Sequence, residues 1–74
     1  MTTTYAVLGL TCAHCVRAVT EEVSRLAGVT GVDVELVPGG ASAVCVVTDG
    51  TELDVADLAA ALDEAGDYVL AGAP

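Results

Sequence analysis

The chain has 74 residues, three cysteines, two tyrosines and neither phenylalanine nor tryptophan, so it holds one small domain whose core must come from Val, Leu and Ala. Its net charge of −9 leaves Arg17 and Arg25 as the only cationic side chains, which excludes the basic footprint that nucleic acid and anionic membrane surfaces require. No apolar run approaches the ~20 residues of a bilayer span, and an odd cysteine count argues against a secreted disulfide scaffold.

Met1-Thr2-Thr3-Thr4 carries neither the basic nor the apolar region of a secretory signal. The expected compartment is therefore the cytoplasm, with the thiols reduced. The excess of acid serves solubility, or it attracts cations or a basic partner face.

Tyr5, Val7 and Gly9 alternate with Thr4, Ala6 and Leu8, which predicts a strand from about Thr3 to Gly9. The loop Gly9-Leu10-Thr11-Cys12-Ala13-His14-Cys15 follows. From Cys15 to Ala27, Val16, Val19, Val23 and Leu26 recur at helical spacing, with Glu21 and Arg25 forming an i,i+4 pair on the opposite face and Gly28 as the stop. Val32, Val34 and Leu36 predict a second strand. Pro38-Gly39-Gly40 is a turn, and a third strand runs from about Ala41 to Thr48, ahead of Asp49-Gly50. Asp54 is the expected N-cap of a second helix that buries Val55, Leu58, Leu62 and Ala65 and stops at Gly66. Tyr68-Val69-Leu70 makes a short last strand. This β-α-β-β-α-β order predicts an α+β, ferredoxin-like fold: a four-stranded antiparallel sheet with two helices on one face, as a single domain over residues 1–74.

Cys12 and Cys15 lie three apart where a strand gives way to a helix, too close in sequence to staple the fold. Unpaired backbone N–H groups at the forming helix end favour negative charge on nearby sulfur. Such a pair is either a soft-metal clip or a redox dithiol. Two thiolates on a loop suit Cu(I), which is selected by soft sulfur ligands. Zn(II) wants four ligands, and beyond this pair the chain offers only His14 and the distant Cys45. A dithiol oxidoreductase of the thioredoxin type would carry Gly-Pro or Pro-Tyr between the cysteines and a cis-proline opposite them. Here the intervening pair is Ala13-His14, and Pro38 sits in a hairpin turn. These features favour the metal clip.

The run Gly9-Leu10-Thr11-Cys12-Ala13-His14-Cys15, followed by Val16 and Val19, then Gly28-Val29, Gly31-Val32, the Val34/Leu36 alternation and Ala65-Gly66, resembles the heavy-metal-associated domain of the copper chaperones. The resemblance covers essentially the whole chain. It implies a non-enzymatic carrier that binds Cu(I) through Cys12 and Cys15 and passes it by thiolate exchange to the metal-binding domain of a copper-transporting P-type ATPase. A third sulfur would come from a second protomer, in a copper-bridged homodimer, or from a small thiol. The same fold also serves as an isolated metal-binding domain of a heavy-metal ATPase and as a mercury carrier. The Met1 start, the end soon after the last strand and the missing export leader favour the free copper chaperone. Two departures stand out. The family's methionine is Leu10, which should keep its role as a buried loop anchor. The family's Ala-Gly-aromatic becomes Ala65-Gly66-Asp67-Tyr68, with one residue inserted, so the ring beside the metal loop is either a shifted Tyr68 or is replaced by Asp67.

The neighbouring residues carry smaller expectations. His14 is either a third ligand or an exposed ring acting on the thiols or a partner. Thr11 should help cap the first helix, and Arg17 either offsets the charge of a bis-thiolate centre or is simply solvated. Cys45 should face the open side of the sheet with Leu8, Val37 and Val47, away from the metal loop. That apolar face is either a docking surface or partly covered and inert.

Overall fold

The computed structural model describes residues 1–50 and 53–72. Its elements follow the expected order: β1 (Thr2–Leu8), α1 (Ala13–Ser24), β2 (Val29–Glu35), β3 (Ser42–Thr48), α2 (Val55–Ala65) and β4 (Val69–Gly72). The strands form one sheet in the order β2-β3-β1-β4, with every neighbouring pair antiparallel. This is the ferredoxin-like arrangement. No described helix is long and apolar enough to cross a membrane.

Period-two alternation builds the sheet side of the core. Tyr5 and Val7 of β1 and Val44 and Val46 of β3 are buried, and the helices close over them with Val19 and Val23 of α1 and Leu58, Ala61 and Leu62 of α2. Burying each Val or Leu side chain contributes roughly 1.5–3 kcal/mol before conformational entropy is counted. Small aliphatic side chains suffice because one helical layer covers only one face of the sheet. Ser42, the one buried polar residue described, accepts a 2.9 Å hydrogen bond from the Val37 N–H and so closes the Pro38-Gly39-Gly40 turn.

Helix α1 differs from expectation at both ends. It begins two residues before Cys15, and it ends at Ser24 instead of Ala27. Beyond Ser24 the chain continues in tight i→i+3 turns, with Arg25 N–H on Glu22 O and Leu26 N–H on Val23 O, up to Gly28 in the left-handed region at φ +84°. The three-residue period brings Arg25 over Glu22 (2.9 Å) and not over the expected Glu21. In α2, Val55 is exposed and does not join the core as expected. Leu53, just ahead of the Asp54 N-cap, packs against the core in its place. With Leu58 it occupies the two positions of a hydrophobic staple.

The antiparallel register puts the C-terminal end of β1, the start of α1, the end of α2 and the start of β4 at one end of the sheet. The loops 9–12 and 66–68 meet there.

Candidate metal centre

Gly9 opens the site. Its φ of +102° turns the chain out of β1, a conformation L side chains rarely adopt. Leu10 then drops into the core and is fully buried, while Thr11 and Cys12 on its C-terminal side are exposed. The loop is thus pinned through the side chain at the position where the family has methionine, and the expected anchoring role of Leu10 holds.

Cys12 is the N-cap of α1, with extended backbone (φ −155°, ψ 177°), and its carbonyl accepts from the N–H groups of Cys15 (3.1 Å) and Val16 (3.3 Å). Cys15 is then the third helical residue. This is the spacing at which the two side chains of a capping box reach toward one another, and it brings the sulfurs to 3.8 Å. Both cysteines are free thiols, well outside the S–S bond length of about 2.05 Å. No side chain caps the helix, and its first turn holds no acid, so the positive end of α1 faces the two sulfurs uncompensated.

The two sulfurs differ in surroundings. Cys12 is exposed, whereas Cys15 is half-buried. A hydrogen bond from the Tyr68 hydroxyl, together with hydrogen bonds from the backbone and hydroxyl of Thr11 and the backbone of Cys12, lowers the Cys15 thiol to about 6 against a small opposing effect of burial. The same bond pushes the Tyr68 phenol up to about 12, helped by burial and by the negative charge at Cys15, Cys12 and Asp67. Between about pH 6 and about pH 12, Tyr68 is therefore protonated while Cys15 is a thiolate. The ring beside the loop is Tyr68, despite the inserted Asp67.

Thr11 does not cap α1 as expected. The cap position belongs to Cys12, and the Thr11 hydroxyl lies 3.6 Å from the Cys15 sulfur. His14 is exposed on the first turn, and among the described residues no three His, Cys, Asp or Glu side chains converge in a way that could hold a metal ion. His14 therefore stands apart from the sulfur pair. Arg17 is exposed one turn further along. Cys45 pairs across the sheet with Asp33 and Thr4, on the face away from the helices, with exposed Leu8 and Val47 as expected and with Val69 besides; Val37, also exposed, lies beyond the end of β2. No pattern in the residues signals the contact of Thr11 with Cys15, since the hydroxyl is equally suited to capping.

What the site can do chemically follows from its two soft donors. It offers a single ion two sulfurs at a solvent-facing loop tip, leaving the remaining coordination sites open to another molecule.

The comparisons with known proteins agree with this architecture. The model of the heavy-metal-associated domain matches residues 4–67. The copper chaperone CopZ of Bacillus subtilis (strain 168) is 40% identical over 63 residues, covering 85% of this chain and 87% of that protein. A solved structure of a CopZ metallochaperone superposes with a TM-score of 0.78 at 28% identity, over 95% of this chain and 98% of its own. The solution structure of the yeast copper transporter domain Ccc2a, determined in apo and Cu(I)-loaded states, shares the fold with a TM-score of 0.74 at 24% identity, over 99% and 97% of the two chains. By its sequence and by its fold, this chain belongs to the heavy-metal-associated domain family and is copper chaperone-like.

Proposed function

We propose that the protein is a cytoplasmic Cu(I) carrier, one domain over residues 1–74 and not an enzyme. Cys12 and Cys15 hold the ion, and it leaves by thiolate exchange to the metal-binding domain of a copper-transporting P-type ATPase. The observation that carries this reading is the pair of free sulfurs 3.8 Å apart at an uncapped helix N-terminus. Similarity to a copper chaperone over most of the chain supports it.

Exchange follows from the small donor set. An incoming thiolate adds its electron pair to the ion, giving a three-sulfur intermediate. One Cu–S bond to this chain then breaks, and its electron pair stays on the departing sulfur. No electron is transferred and copper remains Cu(I) throughout. The third sulfur comes from the acceptor during delivery; at rest it comes from a second protomer or a small thiol. Anaerobic Cu(I) titration against a competing chelator tests the assignment: wild type takes up Cu(I) tightly, and Cys12→Ser and Cys15→Ser each lose that uptake. Unchanged tight uptake in both variants would overturn it.

A further inference from the structure

β2 is an outer strand of the sheet, and the ladder shows which of its backbone groups face away from it. Antiparallel partners alternate between pairs that exchange both N–H···O bonds and pairs that exchange none. Met1 and Thr48 exchange both, at 2.9 and 2.7 Å. Alternation from there gives Val46, Val44 and Ser42 to β1, and leaves Val47, Cys45 and Ala43 to bond Gly31, Asp33 and Glu35 of β2. The backbone N–H and C=O groups of Val32 and Val34 therefore point outward, where the described residues place no further strand. The side chains alternate as well. Val32 and Val34 pack against the core and are half-buried, whereas Asp33 and Glu35 stand exposed on the face away from the helices. Their partners across the ladder are Cys45 and Ala43, so β3 brings no cation to either carboxylate.

We propose that the outer edge of β2 is a docking site for an extended segment of another protein in which Lys or Arg alternates with apolar residues. Such a strand pairs with the outward backbone groups of Val32 and Val34. One set of its side chains lies beside Asp33 and Glu35 and supplies the missing cations, and the other covers the half-buried flanks of Val32 and Val34. A second copy of this chain does not fit. Pairing β2 with itself sets Asp33 and Glu35 against the same carboxylates of the copy, and like charges opposed across a ladder are destabilising. Nor does any strand of this chain supply the cations, since Arg17 lies in α1 and Arg25 caps its end. The two carboxylates thus guard the edge against self-association and at the same time select a basic partner. β3 stands between this edge and β1, the strand that leads into the cysteine loop, so the inference holds whether or not the chain carries Cu(I).

The test is amide hydrogen exchange, followed residue by residue by NMR on the full chain, with and without a short peptide alternating lysine and valine, at about 0.15 M salt. In the free protein the amides of Val32 and Val34 should exchange much faster than those of Asp33 and Glu35, which bond β3. Saturating peptide should slow Val32 and Val34 roughly tenfold or more. The same peptide methylated on the backbone nitrogens that would face β2 keeps its charge and loses the ladder, and should bind roughly tenfold more weakly. The double variant Asp33→Lys/Glu35→Lys, changed only at exposed positions, should also bind the parent peptide roughly tenfold more weakly and prefer one alternating glutamate and valine. Equal binding of the methylated peptide, or no protection of Val32 and Val34 by the parent, would leave only attraction to a chain of net charge −9 and overturns the proposal. Protection that grows with protein concentration in the absence of peptide makes a second copy the occupant and overturns it too. Should the double variant fail to fold, the methylated peptide alone decides.

Discussion

The two helices begin in opposite ways. At the start of α2, Asp54 caps the helix, its carboxylate accepting from the Ala56 N–H at 2.9 Å. Asp57 adds negative charge to the first turn, and Leu53 packs just ahead of the cap. At the start of α1 the cap position holds Cys12, no side chain accepts from the free N–H groups, and no acid stands in the first turn. One N-terminus is finished for stability. The other is left electrostatically open and turned toward two sulfurs, held in place by Leu10 in the core. In a chain this small, leaving a helix end unsatisfied costs a noticeable share of the total stability, and the open end is where a negatively charged bis-thiolate centre gains most.

The contrast can be broken at its anchors first. Leu10→Ala should have the largest effect, about 2–5 kcal/mol of stability lost in chemical denaturation, because a fully buried side chain is the loop's tether to the core. Asp54→Ala should cost about 1 kcal/mol, the usual worth of an N-cap, and leave Cu(I) uptake unchanged. Cys12→Ser should do the reverse. A serine hydroxyl at that position supplies the missing cap, so metal-free protein should gain about 0.5–1 kcal/mol in the same assay while losing tight Cu(I) uptake. A stability loss in Cys12→Ser would show that the end of α1 is not open in the sense described.

The pH dependence sharpens the comparison further. Folded Cys15 titrates near 6, below the ordinary thiol value of 9.0, so its contribution to stability is full above pH 9 and is lost as pH falls through 6. Tyr68 runs the other way: raised from 10.0 to about 12, it contributes below pH 10, and that contribution is lost as pH rises through 12. Metal-free wild type should therefore gain stability from pH 6 to 9 and lose it above 10. Tyr68→Phe should flatten both limbs and move the alkylation midpoint of Cys15 upward from about 6. The smallest effect is expected at Cys45→Ser, on the opposite face of the sheet, which should leave uptake and the alkylation midpoint untouched.

Much of this was legible in the residues. Alternating Val and Leu placed the strands, three- and four-residue spacing placed the helices, and Asp54 before an apolar periodic run marked a true cap. The position of Cys12 and Cys15 at the strand–helix junction was equally plain. What escaped was set by contacts between distant parts of the chain. Tyr68 comes to the metal loop from far along the chain, its ring lying where a Cβ on Gly9 or on Gly66 would meet it, despite the inserted Asp67. Local alternatives of similar energy were misjudged for the same reason. Thr11 could cap a helix or touch a sulfur, Val55 could face either way in a first turn, and Arg25 could meet Glu21 or Glu22 depending on how tightly the last turn is wound.

The measurement that bears most directly on the account is anaerobic Cu(I) titration against a competing chelator, run side by side on wild type, Cys12→Ser, Cys15→Ser and Cys45→Ser. The account predicts one tightly held ion per chain in wild type and Cys45→Ser, and none in either loop variant. Tight uptake that survives the loss of Cys12 and of Cys15, or that vanishes only with Cys45, would contradict it.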